Sequence, residues 1–202
     1  MGCTSRAGTC HNAPMKLVIL DRDGTINAMG PDEFVGSPDE WTALPGALEA
    51  IARLNRAGWH VVVATNQPGL GRGLFDMATL NAIHGKMHKQ LAAVGGRIDA
   101  VFFCPHAPDD ACHCRKPEPG LMEQICERYG VDAKDVVVAG NCRVHLLAGA
   151  ALGARLHLLC TGESAAVVPG QPLPPTWPAG MQVHADLAAF AEHLLSHAST
   201  AA

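Results

Sequence analysis

The feature that most constrains this chain is the alternation of short apolar runs with longer segments of helical periodicity. Near-continuous apolar runs are typical of parallel strands that are covered on both faces. Such runs occupy residues 17–20, 60–64, 100–103, 135–139 and 156–160. Between them, apolar residues recur at steps of three and four within 47–57, 76–94 and 118–129, and Asp76 is suited to cap the second of these helices. The alternation predicts an α/β fold with a doubly wound, Rossmann-like parallel sheet.

A chain of 202 residues with 48% hydrophobic side chains can fill one core, so we expect a single domain over 15–202. The first fourteen residues, MGCTSRAGTCHNAP, are small and polar and lack the apolar core of a secretory signal. We expect a disordered extension here, with Met1 or Met15 as the start. Near the other end, a Pro- and Gly-rich loop over 162–181 should precede a last strand and a helix over 187–197.

Composition excludes several classes of function. The net charge of −4, without a Lys/Arg cluster, gives no footprint for nucleic acid or for an anionic membrane surface. The apolar runs stay far below the roughly 20 residues that cross a bilayer. Eight cysteines without an export signal are expected to stay reduced, which favours a cytosolic protein. Nothing in the pattern points beyond a monomer that acts on a small molecule.

Polar side chains of catalytic type follow each of the first four predicted strands. In open α/β sheets, ligands bind at the carboxyl ends of the strands, so these side chains should meet at one rim. An acidic turn could explain any one group, whereas four groups at one rim favour a binding site. The residues, in strand order, are Asp21 and Asp23, then Thr65, Asn66 and Gln67, then Arg115 and Lys116, and finally Asn141.

The pair of carboxylates after the first strand indicates transfer of a phosphoryl group. In an extended segment, residues two apart point the same way, so Asp21 and Asp23 share a face and Arg22 points elsewhere. One carboxylate can attack phosphorus to form an acyl phosphate, and the other can supply and then remove a proton. Lys116 and Thr65 can offset the phosphate charge. Hard oxygen ligands at such a site suit Mg²⁺, which would bridge nucleophile and phosphate.

A second constellation lies after the third strand, where Cys104, His106, Cys112 and Cys114 are spaced as C-x-H, five residues, then C-x-C. Three thiolates and one imidazole complete a tetrahedral zinc site with no position left for water, which is typical of structural zinc. Such a site would order a loop with little hydrophobic content and would hold Arg115 at the rim. His113 should point away from the metal. The alternative is a loop that is rich in Cys and His by chance.

The order of these motifs resembles the haloacid dehalogenase superfamily of phosphatases. The segments that carry the likeness are LDRDGTIN, ATNQPGLGRG and CPHAPDDACHCRKPEPG. In combination they are similar to the 7-phosphatases of D-glycero-D-manno-heptose 1,7-bisphosphate, which act in carbohydrate metabolism and lipopolysaccharide biosynthesis, and to the related histidinol phosphatases. The likeness runs from about Met15 to the last helix. It implies a core of the haloacid dehalogenase type, without a large cap domain and with a zinc-binding loop.

The resemblance also assigns roles to individual residues. It implies that Asp21 is the nucleophile and that Asp23 is the general acid and base. Magnesium would be held by Asp21, by the backbone carbonyl of Asp23 and by Asn141. The remaining implied roles are phosphate contacts for Thr65, Asn66 and Lys116, with Gln67 in the same substrate-binding segment, substrate recognition for Arg115, and zinc binding for Cys104, His106, Cys112 and Cys114.

The sequence departs from the family pattern after the fourth predicted strand, in VVVAGNCRVHLLAGAALG. Asn141 stands where the superfamily carries a metal-binding Asp, and His145 stands where a second Asp is usual. An amide lacks the charge of a carboxylate, so magnesium binding should weaken. Asp135 cannot substitute, because six residues of strand place it roughly 20 Å from the rim. His145 could bind a softer metal or, when protonated, offset phosphate charge.

Three hypotheses remain open. The first is a sugar-bisphosphate phosphatase with a weakened metal site. The second is a phosphatase that acts on histidinol phosphate or another small ester, and the third is a phosphate-binding homologue with impaired activity. Pro68 and Met29, which replace a usual Ser and Asp of the family, bear on substrate choice.

The other histidines predict no further site. His84 and His88 are four residues apart on a predicted helix and should lie on its solvated face. Those without any partner pattern are His60, His157, His184, His193 and His197.

Overall fold

The structure, a computed structural model, describes residues 15–30 and 34–198. Within these ranges a parallel sheet contains six strands: β1 (Lys16–Leu20), β2 (Trp59–Asn66), β3 (Ala100–Cys104), β4 (Val137–Gly140), β5 (Arg155–Leu159) and β6 (Gln182–His184). They lie in the order β3-β2-β1-β4-β5-β6, and each neighbouring pair is parallel. The predicted doubly wound α/β fold is confirmed. The extension predicted at 1–14 lies outside the described residues.

Helices cover both faces of this sheet. In the described ranges they are α1 (Ala47–Arg56), α2 (Pro68–Gly71), α3 (Met77–Ala93), α4 (Gly120–Tyr129), α5 (Arg143–Ala151) and α6 (Leu187–Ala198). Residues of α1, α3 and α6 form one hydrophobic core with the sheet, and residues of α4 and α5 form the other. Since consecutive strand residues point to opposite faces, Val18 of β1 enters the first core and Ile19 enters the second. Among these helices none combines the length and the apolar character that crossing a membrane requires.

β2 runs two residues further than predicted, so Thr65 and Asn66 lie at the end of the strand and only Gln67 follows it. Two other elements begin later than predicted because the chain turns before the element begins. β4 begins two residues later than predicted, since Ala133–Asp135 form a 3₁₀ turn ahead of it. α4 also begins two residues late, because Pro119 takes the cap position. The cap predicted for α3 is confirmed: the Asp76 carboxylate accepts a hydrogen bond from the Thr79 N–H at 2.8 Å.

The carboxyl edge of the sheet is left accessible by the fold. In the described ranges, no helix lies between β1 and α1, and all strands belong to one sheet, so no large cap domain lies over this edge there. The connection from β1 to α1, residues 21–46, closes on itself instead, with the Leu44 N–H donating to the Ile26 carbonyl at 2.9 Å. After β5, the loop over 162–181 contains the 3₁₀ turn Gly162–Ser164 and then leads into β6, as predicted.

Candidate active site

The carboxyl edge carries a cavity of about 290 Å³. This is where ligands bind in open α/β sheets. The sheet explains the grouping, because β1 leads directly into Asp21 and β2 ends at Asn66. Two predicted residues, Gln67 and Asn141, lie behind the cavity wall and are 0% and 1% exposed. The predicted residues that line the cavity are Asp21, Asp23, Thr65, Asn66, Arg115 and Lys116.

Asp21 is a buried carboxylate that is surrounded by donors. Its Oδ1 accepts from the Lys116 Nζ and from the Arg22 N–H, both at 2.8 Å. Its Oδ2 accepts from the Cys142 thiol at 3.1 Å. Burial alone would raise the pKa of Asp21, but Lys116 and the other donors outweigh burial and lower this pKa to about 2. The group is therefore ionised and able to act as a nucleophile at neutral pH.

Lys116 is held in place from both ends. Its Nζ donates to the Ala64 carbonyl at 2.9 Å, in addition to its ion pair with Asp21. The Asn66 side chain accepts from the Lys116 backbone N–H and donates to the Lys116 carbonyl, both at 3.1 Å. The Asn66 amide is thus engaged by the lysine backbone, so this side chain positions Lys116 in addition to lining the cavity.

Asp23 is oriented by a residue that the sequence reasoning left without a role. Arg22 points into the protein as expected, but its guanidinium folds back and contacts the Asp23 carboxylate at 2.9 Å. Arg22 is 0% exposed, and a buried guanidinium requires partners of this kind. The Asn27 amide donates to the same carboxylate at 2.9 Å. The sequence signal that could have indicated this role is an arginine between two aspartates at the end of an apolar run.

The prediction of a solvated face for His84 is wrong. Its Nε2 lies 3.0 Å from the Arg22 Nη1, and the side chain is half-buried against that guanidinium. Burial, and then the charge of Arg22, lower the pKa of His84 to about 4. A neutral imidazole therefore accepts a hydrogen bond from Arg22. His88, one turn further along α3, is exposed as expected.

Gln67 does not reach the cavity, which differs from its predicted contact with substrate. Its Nε2 donates to the Thr65 hydroxyl at 2.9 Å and to the Asp23 carboxylate at 3.2 Å. Its Oε1 accepts from Arg22 at 3.3 Å. The chain turns inward after β2, so the Gln67 amide makes its hydrogen bonds to these neighbours. Gln67 therefore connects Thr65 to Asp23 on the side away from the cavity.

The residues around position 141 fit a hard cation in one amide orientation. The end of the Asn141 side chain that faces the Asp23 backbone carbonyl oxygen lies 3.0 Å from it. Adjacent oxygen ligands of an octahedral Mg²⁺ at about 2.1 Å are separated by about this distance. With its oxygen on that side, Asn141 would offer one ligand, the Asp23 carbonyl a second and the Asp21 carboxylate a third. Asp135 lies in the turn before β4, at the opposite end of the strand, as predicted.

His145 is fully buried behind Lys116. Its Nδ1 lies 3.1 Å from the Lys116 Nζ, and its Nε2 has no hydrogen-bond partner in the described structure. Burial, and then the charge of Lys116, lower the pKa of His145 to about 3. The imidazole is neutral and accepts from Lys116, which contradicts the hypothesis that a protonated His145 offsets phosphate charge.

The cysteine loop forms the cluster that the spacing predicts. One ligand atom from each of Cys104, His106, Cys112 and Cys114 lies within 4.8 Å of the others, so the four residues could hold a metal ion. The Cys104 and Cys114 sulfurs are 3.2 Å apart, and the His106 Nδ1 lies 3.2 Å from the Cys114 sulfur. Sulfur and nitrogen atoms at such separations are consistent with tetrahedral ligation.

Neighbours of the cluster connect it to the cavity. His113 pairs with Glu123 at 2.7 Å and is not among the four clustered residues, as predicted. The Arg115 guanidinium donates to the His106 carbonyl at 3.4 Å, so the cluster and the cavity wall are in direct contact. Arg72, at the end of α2, also lines the cavity and was not predicted. Pro68 and Met29, two of the four departures from the family pattern, line it too.

Histidines that the sequence left without partners form a cluster at the β5–β6 edge. The His157 Nδ1 lies 2.9 Å from the His184 Nε2, and the two rings stack with centroids 5.2 Å apart. The His193 ring lies 5.0 Å from that of His184, and His197 lies 4.1 Å from His193. His60 instead pairs with Asp99 at 3.0 Å. His157, His184 and His193 come from different elements, so no local spacing indicates their contacts, whereas His193 and His197 are four residues apart on α6.

Comparison with known proteins agrees with this geometry. Residues 30–153 match the family of haloacid dehalogenase-like hydrolases. The chain belongs to this family. D-glycero-beta-D-manno-heptose-1,7-bisphosphate 7-phosphatase from Bordetella bronchiseptica is 54% identical over 184 residues, which cover 91% of this chain and 100% of that protein. The enzyme of the same name from Pseudomonas aeruginosa is 44% identical over 179 residues, 89% of this chain and 97% of that protein.

Solved structures of the family lead to the same assignment. The crystal structure of the Bordetella bronchiseptica D,D-heptose 1,7-bisphosphate phosphatase, complexed with magnesium and phosphate, superposes with a TM-score of 0.84 at 54% identity and covers 91% of this chain and 99% of that one. The Burkholderia thailandensis phosphatase gives a TM-score of 0.67 at 54% identity and covers 90% and 99%. The predicted family and enzyme class, a phosphatase that hydrolyses phosphate monoesters, are confirmed.

Proposed function

We propose that the protein removes the 7-phosphate of D-glycero-D-manno-heptose 1,7-bisphosphate through a phosphoenzyme formed on Asp21. The observation that carries the proposal is the buried ion pair of Asp21 with Lys116, at 2.8 Å, in the cavity wall. A carboxylate beside an ammonium group is suited to attack phosphorus, because the ammonium offsets the charge of the incoming phosphate. The names of the Bordetella and Pseudomonas relatives support this substrate.

In the first step, an oxygen of Asp21 bonds to the phosphorus of the 7-phosphate, and the bond from phosphorus to the sugar oxygen breaks. We assign the attack to Oδ2, because Oδ1 is held by Lys116 and the Arg22 N–H, whereas Oδ2 accepts from the weakly donating Cys142 thiol. For this step the Asp23 carboxyl must carry a proton, which it gives to the departing oxygen, so that this oxygen becomes the 7-hydroxyl and Asp23 becomes a carboxylate. Thr65 and Lys116 line the cavity where the phosphoryl oxygens would lie.

In the second step, water attacks the phosphorus of the acyl phosphate. Asp23 takes a proton from that water, the bond from phosphorus to Asp21 breaks, and inorganic phosphate leaves. Arg22, Asn27 and Gln67 donate to the Asp23 carboxylate and act as positioning residues. They restrict its rotation, so the same group can serve both steps.

Magnesium would be held by Asp21, the Asp23 carbonyl and Asn141, as described above. When bound, it would neutralise charge on the phosphoryl oxygens and align them with the nucleophile. Asp21 is the only one of these three ligands that carries a charge, which predicts a weak magnesium site.

The arginines of the cavity favour a bisphosphate substrate over a monophosphate, because they can bind its second phosphate. Arg72 and Arg115 line the cavity in addition to Lys116, so two guanidinium groups are available beyond the reacting centre. Guanidinium groups bind phosphate in a bidentate manner. Histidinol phosphate, the alternative substrate, carries a single phosphate and a cationic amine that these arginines would repel. The alternative of a phosphate-binding homologue without activity is disfavoured by the ionised, correctly placed Asp21.

The cysteine loop is proposed to hold structural zinc, since three thiols and one imidazole leave no open coordination position. Burial raises the pKa of the Cys104 thiol to about 12, and a bound cation would reverse this preference and favour the thiolate. The cysteines of the described ranges are free thiols. Reduced thiols support the cytosol as the compartment, and we propose that the protein acts there as a monomer.

The proposal is tested by following phosphate release with magnesium from the heptose bisphosphate and from histidinol phosphate. We expect the bisphosphate to have the higher kcat/KM. Asp21→Asn should lower kcat by roughly 10⁴-fold or more, because the nucleophile is removed. Arg115→Gln should mainly raise KM for the bisphosphate, with a smaller effect on a monophosphate ester.

The control is Asp135→Asn, which makes the same chemical change at the far end of β4 and should leave turnover intact. The proposal is wrong if a folded, metal-loaded preparation releases phosphate from neither substrate. It is also wrong if Asp21→Asn retains turnover comparable to that of the unmodified protein.

A further inference from the structure

We propose that, in the metal-free protein, the amide of Asn141 takes the place of the cation against the Asp23 carbonyl, so that Mg²⁺ binds only by displacing hydrogen bonds. This inference rests on the proposed function, because it concerns the cation site of that reaction. In the metal-free protein, the Asn141 NH₂ then donates to the Asp23 carbonyl oxygen that Mg²⁺ would otherwise bind.

The orientation of the amide follows from its neighbours. With the oxygen toward Asp23, that oxygen accepts from the Thr25 hydroxyl at 2.9 Å but also faces the Asp23 carbonyl oxygen, and the NH₂ faces the backbone N–H of Glu163. In the opposite orientation, the amide nitrogen donates to the Asp23 carbonyl at 3.0 Å and to the Thr25 hydroxyl at 2.9 Å. Its oxygen then accepts from the Glu163 N–H at 3.1 Å. Because Asn141 is 1% exposed, water cannot replace these bonds, and the second orientation is the resting one.

The amide is enclosed by two loops that close over it. Gly24 has a φ of +76°, and a Cβ on Gly24 or on Gly162 would run into the Asn141 side chain. The Thr161 hydroxyl donates to the Gly24 carbonyl at 2.6 Å, which joins the two loops. The space beside the amide is therefore closed by Gly24 and Gly162, and the side chain is held where it can donate to the Asp23 carbonyl.

The two aspartates beside the amide each have a cationic partner within the chain. Asp21 pairs with Lys116 at 2.8 Å, and Asp23 pairs with Arg22 at 2.9 Å. Asn141 adds no charge of its own. A divalent ion therefore meets aspartates that are already paired, whereas a carboxylate at position 141 would add one negative charge beside the Asp23 carbonyl.

Metal binding then has a definite cost. The amide must rotate by half a turn about its Cβ–Cγ bond, which breaks its bond to the Asp23 carbonyl and the bond it accepts from the Glu163 N–H. The Thr25 contact survives, because this hydroxyl can donate to the rotated amide oxygen at 2.9 Å. We expect the Mg²⁺ affinity of this chain to be about tenfold or more below that of Asn141→Asp, because the variant adds a charged ligand and has no donor to displace. The metal-free protein should be stable, and the metal-free variant should not.

The test measures melting temperature against Mg²⁺ concentration for the zinc-loaded protein, prepared in magnesium-free buffer without a chelator so that the cysteine cluster keeps its metal. The unmodified protein should melt at nearly the same temperature throughout the series. Asn141→Asp should melt lower without Mg²⁺ and rise steeply as Mg²⁺ is added. Asn81→Asp is the matched control, because it makes the same change on the exposed surface of α3 and should behave like the unmodified protein.

A second readout does not depend on the variant folding. In ¹⁵N-labelled protein, the Asn141 side-chain NH₂ should be protected from solvent exchange without Mg²⁺ and should lose that protection at saturating Mg²⁺. Equal Mg²⁺ affinity of the unmodified protein and Asn141→Asp, or an unprotected NH₂ in the metal-free protein, would overturn the inference. Failure of the proposed function is distinct: phosphate release would then be absent while both binding results stand.

Discussion

Two regions of the molecule place metal-binding atoms side by side and differ in what balances them. In the cysteine loop, three thiols and one imidazole converge. Each group binds a metal ion in its deprotonated form, and the cluster contains no lysine or arginine that would balance the charge of the thiolates. Around Asn141, by contrast, Asp21 already has Lys116 and the Asp23 carbonyl already has an amide donor. The difference teaches that charge balance, more than the number of ligands, decides whether a region depends on an external ion.

The largest expected effect comes from breaking the cysteine loop. Cys114→Ser should lose the bound metal and lower the free energy of unfolding by about 5 kcal/mol or more, because a structural zinc contributes directly to folding. Activity should fall as well, since Arg115 and Lys116 follow this residue. Metal content by atomic emission and thermal unfolding test both effects. Cys126→Ser, on α4 outside the cluster, is the control, and equal effects of the two substitutions would contradict a metal at the loop.

Replacing Lys116, the cation that pairs with Asp21, should make the region around Asn141 depend on an external ion, as the cysteine loop is expected to do. Lys116→Met leaves Asp21 buried without its partner, which should cost about 3–5 kcal/mol in the free energy of unfolding. Mg²⁺ should then restore part of this stability, although it has little effect on the unmodified protein. Urea unfolding with and without Mg²⁺ measures the change.

The control for this substitution is Lys89→Met on the exposed surface of α3, which should change neither quantity. A Lys116→Met variant that is as stable as the unmodified protein, with no response to Mg²⁺, would show that Asp21 does not depend on this lysine.

The smallest expected effect lies at the histidine edge, where neutral rings pair with each other. Burial, and then the neighbouring histidines, lower the pKa of His157 to about 3 and that of His184 to about 4, from an ordinary 6.5. Because both folded-state pKa values lie below the unfolded value, protonation favours the unfolded chain as the pH falls below about 6.5. At about pH 5, His157 alone should cost about 2 kcal/mol of stability.

Unfolding free energies measured between pH 7 and pH 5 test this expectation. His157→Phe should flatten the profile, because a phenyl ring can pack against Phe190 as His157 does and cannot be protonated. An unchanged slope in this variant would place the pH dependence elsewhere in the protein.

The sequence predicted the sheet and the catalytic rim because both follow local rules. The apolar runs give the strands directly, and residues that follow the carboxyl ends of parallel strands must meet, which placed Asp21, Thr65 and Lys116 together. The cluster of Cys104, His106, Cys112 and Cys114 was predicted for a similar reason, since all four lie within eleven consecutive residues.

Contacts between distant segments could not be read in the same way. Thr25 and Asn141 are separated by 116 positions, and their hydrogen bond depends on how two loops close after the strands. The half-buried His84 was misjudged because the helical period places it on an outer face, while the guanidinium of Arg22, from the turn after β1, contacts it there. Likewise, Gln67 turns inward only because Asp23 and Thr65 offer it partners there.

Cys114, Arg115 and Lys116 are consecutive, so the proposed zinc site is joined directly to two residues of the cavity in which the proposed magnesium-dependent reaction takes place. If the proposed zinc leaves the loop, the arginine and lysine lose their common support, although the ligands for magnesium are untouched. Zinc deficiency would then stop the proposed hydrolysis even where magnesium was plentiful.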